Sequence, residues 1–310
     1  MAAFRNHRPD MSPTLSALAP VFLVILAGWG LKGLSVVPDA AWAGIEALVY
    51  RAFFPCLLFH NLATAGFAGL EVGAMAASLL AAVLAAAALL WPARRLTGLT
   101  PAAWSSVIQG AIRPNTYVAL AAVVGLFGRD GAVLLAVAIA ATVPVVNVIS
   151  VLALARLGGG RVNIARALAT NPLILACAAG VAVNLAGLLP PPLIMQTIDL
   201  MGRATLPLGL VCVGAGLVFA ELGLHWRGLA LSSLAKLALL PALTFGFGRL
   251  FGLDGPAFAV AVTFNAMPVA ASAYVLARQM GGDHRLMAAI VTVQVVLAGF
   301  SLPIVLSLLA

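Results

Sequence analysis

Two stretches decide the fold: "AIRPNTYVALAAVVGLFG" at residues 111–128 and "TFNAMPVAASAYVLARQ" at residues 263–279. Each is an apolar run of membrane-spanning character interrupted by a proline, Pro114 in the first and Pro268 in the second, with Asn115 and Asn265 close by. An interior proline costs about 3 kcal/mol in a helix and leaves one carbonyl without its partner. Irregular backbone at membrane depth is tolerated only where it is buried in protein or lines a water-filled cavity. A pair of such breaks therefore marks a place where two spans meet around something polar.

The rest of the chain supports a membrane setting. It has 310 residues, 63% hydrophobic and 8% charged, with a mean hydropathy of +1.12, against roughly 25% charged in soluble domains. Charged and helix-breaking residues punctuate ten apolar segments near 14–34, 41–64, 70–93, 101–127, 131–155, 171–189, 191–219, 227–251, 256–279 and 286–309. Segments of about 20 residues cross a hydrocarbon core of about 30 Å as helices. Runs such as "AASLLAAVLAAAALLW" lack the alternation of outer-membrane strands. The class is polytopic all-α. The net charge of +8 is spread singly between spans, which excludes a nucleic-acid partner. Cys56, Cys177 and Cys212 are isolated in apolar runs and read as small buried hydrophobes with no metal or redox role.

The chain is written twice. At an offset of 152, Pro20 meets Pro172, Gly28 meets Gly180, Pro38 meets Pro190, and "RAFFPCLL" at 51–58 meets "RATLPLGL" at 203–210. At 154, Pro114 meets Pro268. Five spans per half is an odd number, so the second copy enters from the opposite face, giving an inverted repeat with broken helices four and nine crossing. The expected organisation is a tail at 1–13, a first five-helix repeat at 14–155, a cytoplasmic linker at 156–170 and a second repeat at 171–310. With the N-terminus outside, the inner loops carry Lys32, Arg94, Arg95, Arg156, Arg161, Arg166, Arg227, Arg278 and Arg285, against Arg5, Arg8, Arg129 and Arg249 outside. The positive-inside rule then puts both termini outside. The N-terminal apolar stretch belongs to the repeat, so it is read as a structural helix and not a cleaved signal; Met11 is an alternative start. Two Lys against fifteen Arg, with abundant Ala and Gly, suggest a bacterial source and its inner membrane.

Arg113 costs at least about 2.5–3.5 kcal/mol at mid-membrane, so it faces either a cavity or a counter-ion. Beside the positive end of the helix that restarts near Asn115, it describes a site for an anion. The alternative is a helix-stapling pair with Glu46 or Asp199. Asn115 and Asn265 either contact a ligand or cap the broken backbone, and Gln109 lies one turn before Arg113. Lys236 breaks the repeat, standing where the first half has Ala82; it either grips the ligand or snorkels to an interface. Arg51 and Arg203 recur in both halves and read as scaffold, Arg203 with Asp199 one turn earlier. Asn147 and Gln294 read as helix-bridging amides. His60 is read at a helix end beside Asn61, with proton relay as the alternative.

The segments "RPNTYVALAAVVGLFG", "NPLILACAAGVAVNLAGLLPPPL", "GRATLPLGLVCVGAGL", "KLALLPAL" and "NAMPVAASAYVLARQMGGD", in this order across about 14–309, resemble the auxin efflux carrier family and its bacterial malate or malonate permease-like members. That resemblance implies ten helices in two inverted halves, a fold shared with bile acid/sodium symporters, and a panel and a core domain that rock against each other. It also implies a crossing that carries Asn and Pro, matched here by Asn115 and Pro268. Plant members carry a long loop between the halves, which this chain lacks.

The expected function is a secondary transporter that moves a small organic anion, a carboxylate or auxin-like acid, by alternating access. Arg113, Asn115, Asn265, Gln109 and Lys236 are its candidate substrate-binding residues, and Pro114 and Pro268 its helix breaks. No cofactor or metal is expected; transport is either coupled to a proton or to sodium or is uniport, with the amides and missing carboxylates at the crossing favouring a proton or uniport over sodium, and the chain acts either alone or as a homodimer in the lipid bilayer. The alternative is a sodium/proton or other cation exchanger of the same fold, though such exchangers usually rely on paired intramembrane carboxylates, and the broken-helix region has none. An enzyme is not expected: HExxH, GxSxG and paired intramembrane Ser/His are all absent.

Overall fold

The computed structural model describes residues 11–66, 71–158, 166, 169–219 and 226–309. Residues 1–10 with Arg5 and Arg8, and most of the 156–170 linker with Arg161, lie outside the described residues. Every regular element described is helical: α1 (Met11–Gly33), α2 (Asp39–Ala63), α3 (Val72–Thr97), α4 (Pro101–Ile112), α5 (Thr116–Leu157), α6 (Pro172–Ala186), α7 (Pro192–Ala215), α8 (Trp226–Leu250), α9 (Gly255–Asn265), α10 (Ser272–Gln279) and α11 (His284–Ser307). Among the described residues, α2, α3, α5, α7, α8 and α11 are long and apolar enough to cross a membrane, and α1, α6 and α9 supply shorter apolar helices.

Helix starts follow from local chemistry. Thr100 precedes Pro101 and accepts the Ala103 N–H at 3.2 Å, Asn171 precedes Pro172 and accepts from Leu173 and Ile174, and Asp283 accepts from Leu286 at 2.9 Å. Each side-chain oxygen satisfies amides that have no partner in a first turn, and proline at the first position loses nothing there.

Two expected interruptions and one departure from the expected spans have physical causes. The segment 101–127 is not one helix, because Arg113 takes an extended conformation (φ −82°, ψ 114°) ahead of Pro114, as the steric demand of a following proline requires. The segment 256–279 likewise splits into α9 and α10, with non-helical backbone between Asn265 and Ser272. No multi-residue loop separates the expected spans 101–127 and 131–155. The helix turns at one residue, Gly128 (φ 61°, ψ −145°), and resumes. Only glycine adopts that backbone without strain. Both α2 and α8 contain a π-turn, at Val49–Phe53 and Ala235–Leu239.

The buried side chains form two main sets. One gathers 118–143 of α5 against Phe54, Leu58 and Leu62 of α2, Leu18 and Ile25 of α1, and Phe258 and Phe264 of α9. The other joins Trp104, Val107 and Ile108 of α4 to α8, α10 and α11. Helices α1 and α7 pack through glycines: a Cβ on Gly28 would overlap the Val211 carbonyl, and one on Gly214 the Ile25 carbonyl. Small residues at such contacts let backbones approach where no hydrophobic effect drives helices together. Gly214→Val is therefore expected to cost about 1–3 kcal/mol by overpacking, read as a lower thermal midpoint in detergent; an unchanged midpoint would show that the two helices separate freely.

Candidate functional site

The two interrupted segments meet. Pro114 and Val269 form an isolated antiparallel bridge, and the Asn115 N–H donates to the Pro268 carbonyl at 2.7 Å. The side chain of Gln294, fully buried on α11, fixes the junction. Its Oε1 accepts the Val269 N–H at 2.9 Å, and its Nε2 donates to the Gly110 carbonyl at 3.0 Å and to Ser232 Oγ at 3.4 Å. Ser232 in turn donates to the Val107 carbonyl at 3.2 Å. Backbone groups released by the two breaks thus find partners in one another and in an amide of a third helix, as a dry interior demands.

Asn115 serves the backbone. Its Oδ1 accepts from the amides of Tyr117 and Val118, at 3.1 and 3.2 Å, and its Nδ2 donates to the Val269 carbonyl at 3.5 Å. Of the two roles open to Asn115, capping is the one its hydrogen bonds fill. Asn265 donates through Nδ2 to Thr244 Oγ1 at 2.8 Å, while its buried Oδ1 has no partner.

Arg113 lines a small cavity with Tyr50, Pro114, Thr116, Asn147, Ala270 and Ser272, among others. Its Nη2 donates to Ser272 Oγ at 3.4 Å, and its Nε and Nη1 are buried with no partner. The expected alternative, a pair with Glu46 or Asp199, is not formed: Asp199 is taken by Arg203, one turn on, and approaches His60 Nδ1 at 3.9 Å. The first turns of α5 and α10 begin at Thr116 and Ser272, so both helices present their positive ends here. The site is thus a guanidinium with free N–H groups, two hydroxyls and two helix N-termini, with no carboxylate among the lining residues.

The cavity is about 40 Å³, room for no more than a few waters. Tyr50 also lines a wider vestibule of about 480 Å³, together with Arg51, Thr170, Asn171 and Pro172. Asn171 Nδ2 donates to Tyr50 Oη at 3.3 Å. Of the seven expected site residues, Arg113 and Pro114 line the cavity, while Asn115 and Pro268 build the junction behind it. Gln109, Asn265 and Lys236 are fully buried but lie off its lining. Ser272, Tyr50 and Thr116 were not singled out from sequence, since a lone hydroxyl in a span carries no spacing signature; the matched prolines were the signal that could have led to them.

With this geometry in view, comparison with known proteins is decisive. The family model described as membrane transport protein matches residues 13–306. The chain belongs to the membrane transport protein family. The chain is also similar to a protein of Methanothermobacter thermautotrophicus named as an uncharacterized transporter, 26% identical over 301 residues that cover 95% of this chain and 97% of the relative. The resemblance to auxin efflux carriers read from the sequence is borne out. As a member of this family the chain is a multi-pass membrane protein and a transporter.

Proposed function

We propose that this chain is a secondary carrier of a small organic anion, working by alternating access between two inverted five-helix units of ten spans in all. The observation that carries the reading is Arg113: a buried guanidinium with unpartnered N–H groups, no carboxylate beside it, and two helix N-termini aimed at the same cavity. A carboxylate is the group that such a fork of donors complements. Ser272 and Thr116 supply further hydroxyl contacts.

Contacts between helix ends support the inverted order. Lys32 Nζ donates to the Ala215 carbonyl at 2.8 Å, the Asp283 N–H to Ala102 at 3.2 Å, and Gly158 abuts Met280 and Gly281. Asn184 Nδ2 reaches the carbonyls of Ala63 and Ala65, and the Asp254 N–H donates to Glu71 at 3.1 Å. Each of these joins two ends that a five-plus-five crossing order puts on the same face. In that order the vestibule opens on the linker side, which the basic loops make cytoplasmic, with both termini outside a bacterial inner membrane. The cavity is too small for an acid of several carbons, so this conformer is closed around the binding point and the Tyr50–Asn171 contact separates to admit substrate.

Counterflow in proteoliposomes tests the proposal, with labelled malonate, malate and indole-3-acetate as probes. At least one acid is expected to exchange several-fold faster than in protein-free vesicles. Failure of all three, with folded protein in the vesicles, refutes the carboxylate-carrier reading.

A further inference from the structure

Lys236 is one of two lysines in the chain, and its environment is unusual. It stands near the middle of α8, is fully buried, and its Nζ has no hydrogen-bond partner. The elements packed against its π-turn are the flanking parts of α8 together with α4 and α11. Helix α4 contains no titratable residue. On α8 the charged groups are Arg227, more than two turns before, and Arg249, more than three turns after. On α11 they are His284 and Arg285, at the start of the helix and more than two turns before Gln294. Among the described residues of these elements no counter-charge lies close to an ammonium at this point, a state that burial strongly disfavours.

The π-turn at Ala235–Leu239 gives this placement a purpose. A π-turn adds one residue to a helix, so Ser232 and Thr244 behave as about eleven α-helical positions apart, roughly three full turns. Both then lie on one stripe, with Lys236 between them, and both hold the junction: Ser232 through Val107 and Gln294, Thr244 through Asn265. Lys236 thus stands on α8 between two residues that both contact the junction.

We propose that Lys236 is the proton-binding group of the carrier. The proposal rests on the carrier reading above. In the conformer that loosens the crossing, the amine lone pair takes a proton from water; the ammonium crosses together with one negative charge of the anion at Arg113; the proton returns to water on the other side as the packing recloses. Charge balances at each step, one proton against one anionic charge, and no other reactant is required. Coupling by sodium would leave Lys236 without this role.

The test uses the purified full chain in proteoliposomes with malonate, malate and indole-3-acetate. Lys236→Met, which keeps the stem volume, is expected to lower accumulation driven by an inside-alkaline pH gradient at least about tenfold, a larger loss than in its zero-gradient exchange. Wild-type accumulation by the variant overturns the proposal. A second measurement does not depend on transport: in protein carrying 13Cε-lysine, with Lys32→Arg to leave one resonance, the Lys236 signal is expected to move between its ammonium and amine positions as pH is varied. A signal fixed at the ammonium position throughout overturns it, whether or not Lys236→Met folds. Absence of wild-type exchange for all three acids refutes the carrier reading instead, and the resonance still decides whether Lys236 exchanges a proton.

Discussion

Arg113→Ala is expected to weaken anion binding by at least about tenfold and by up to about a hundredfold. Hydrogen bonds to charged groups contribute about 1.5–3 kcal/mol, and about 1.4 kcal/mol is a factor of ten. Among the described lining residues the guanidinium is the only full positive charge, and its Nε and Nη1 have no partner. Arg113→Lys keeps the charge but loses the planar fork, so it is expected to fall between wild type and Arg113→Ala. The same substitutions separate ligand binding from scaffolding. A guanidinium that staples helices would take stability with it; one buried without a counter-ion carries an unmet desolvation cost, so its removal leaves the thermal midpoint unchanged or raises it. The measurements are the concentration dependence of counterflow for the exchanged acid and thermal unfolding in detergent. Wild-type exchange by Arg113→Ala, or a large fall in its midpoint, would show that the anion binds elsewhere.

The parts of this site that sequence made legible are those where a residue's covalent chemistry disfavours the alternative. Pro114 and Pro268 each weaken a continuous helix, and although Pro20, Pro92, Pro144 and Pro303 lie inside helices here, the matched positions of these two beside Asn115 and Asn265 pointed to two interruptions. Arg113 and Lys236 are conspicuous for a similar reason, because a cation in an apolar run needs an explanation. Polar but neutral side chains are different. Asn115 has the same composition as a ligand contact or as a helix cap, and only the positions of Tyr117 and Val118 decide for the cap. Gln294 reads as a generic bridging amide, since nothing in its neighbours along α11 says that it faces Val269 and Gly110, residues contributed by both halves of the chain. The turn at Gly128 was legible as a boundary but not as a single-residue reversal, because many residues accept a loop while only the backbone angle shows that one sufficed. Tyr50 and Asn171 lie 121 positions apart, and no periodicity within either helix links them.

Gln294 is also where the largest loss of stability is expected. Its amide is a divided connector: the oxygen holds Val269 of the α9–α10 break, the nitrogen holds Gly110 in the last turn of α4, and Ser232 of α8 joins from the side. Gln294→Leu keeps the volume and removes all three contacts, stranding a backbone N–H and a carbonyl where no water reaches. Each of the two stranded groups costs about 1–3 kcal/mol, so the expected total is about 2–6 kcal/mol, seen as a lower midpoint in thermal or denaturant unfolding. Gln294→Glu is the informative companion. A carboxylate still accepts from Val269 but, when ionised, has no hydrogen to offer Gly110, and it brings an uncompensated charge into the dry interior. It is therefore expected to be at least as damaging as Gln294→Leu at neutral pH and to recover on acidification, because the protonated acid regains one donor. A Gln294→Leu protein as stable as wild type would show that the two interrupted segments hold together through the Asn115–Pro268 hydrogen bond and apolar packing alone, and that the crossing does not depend on this amide.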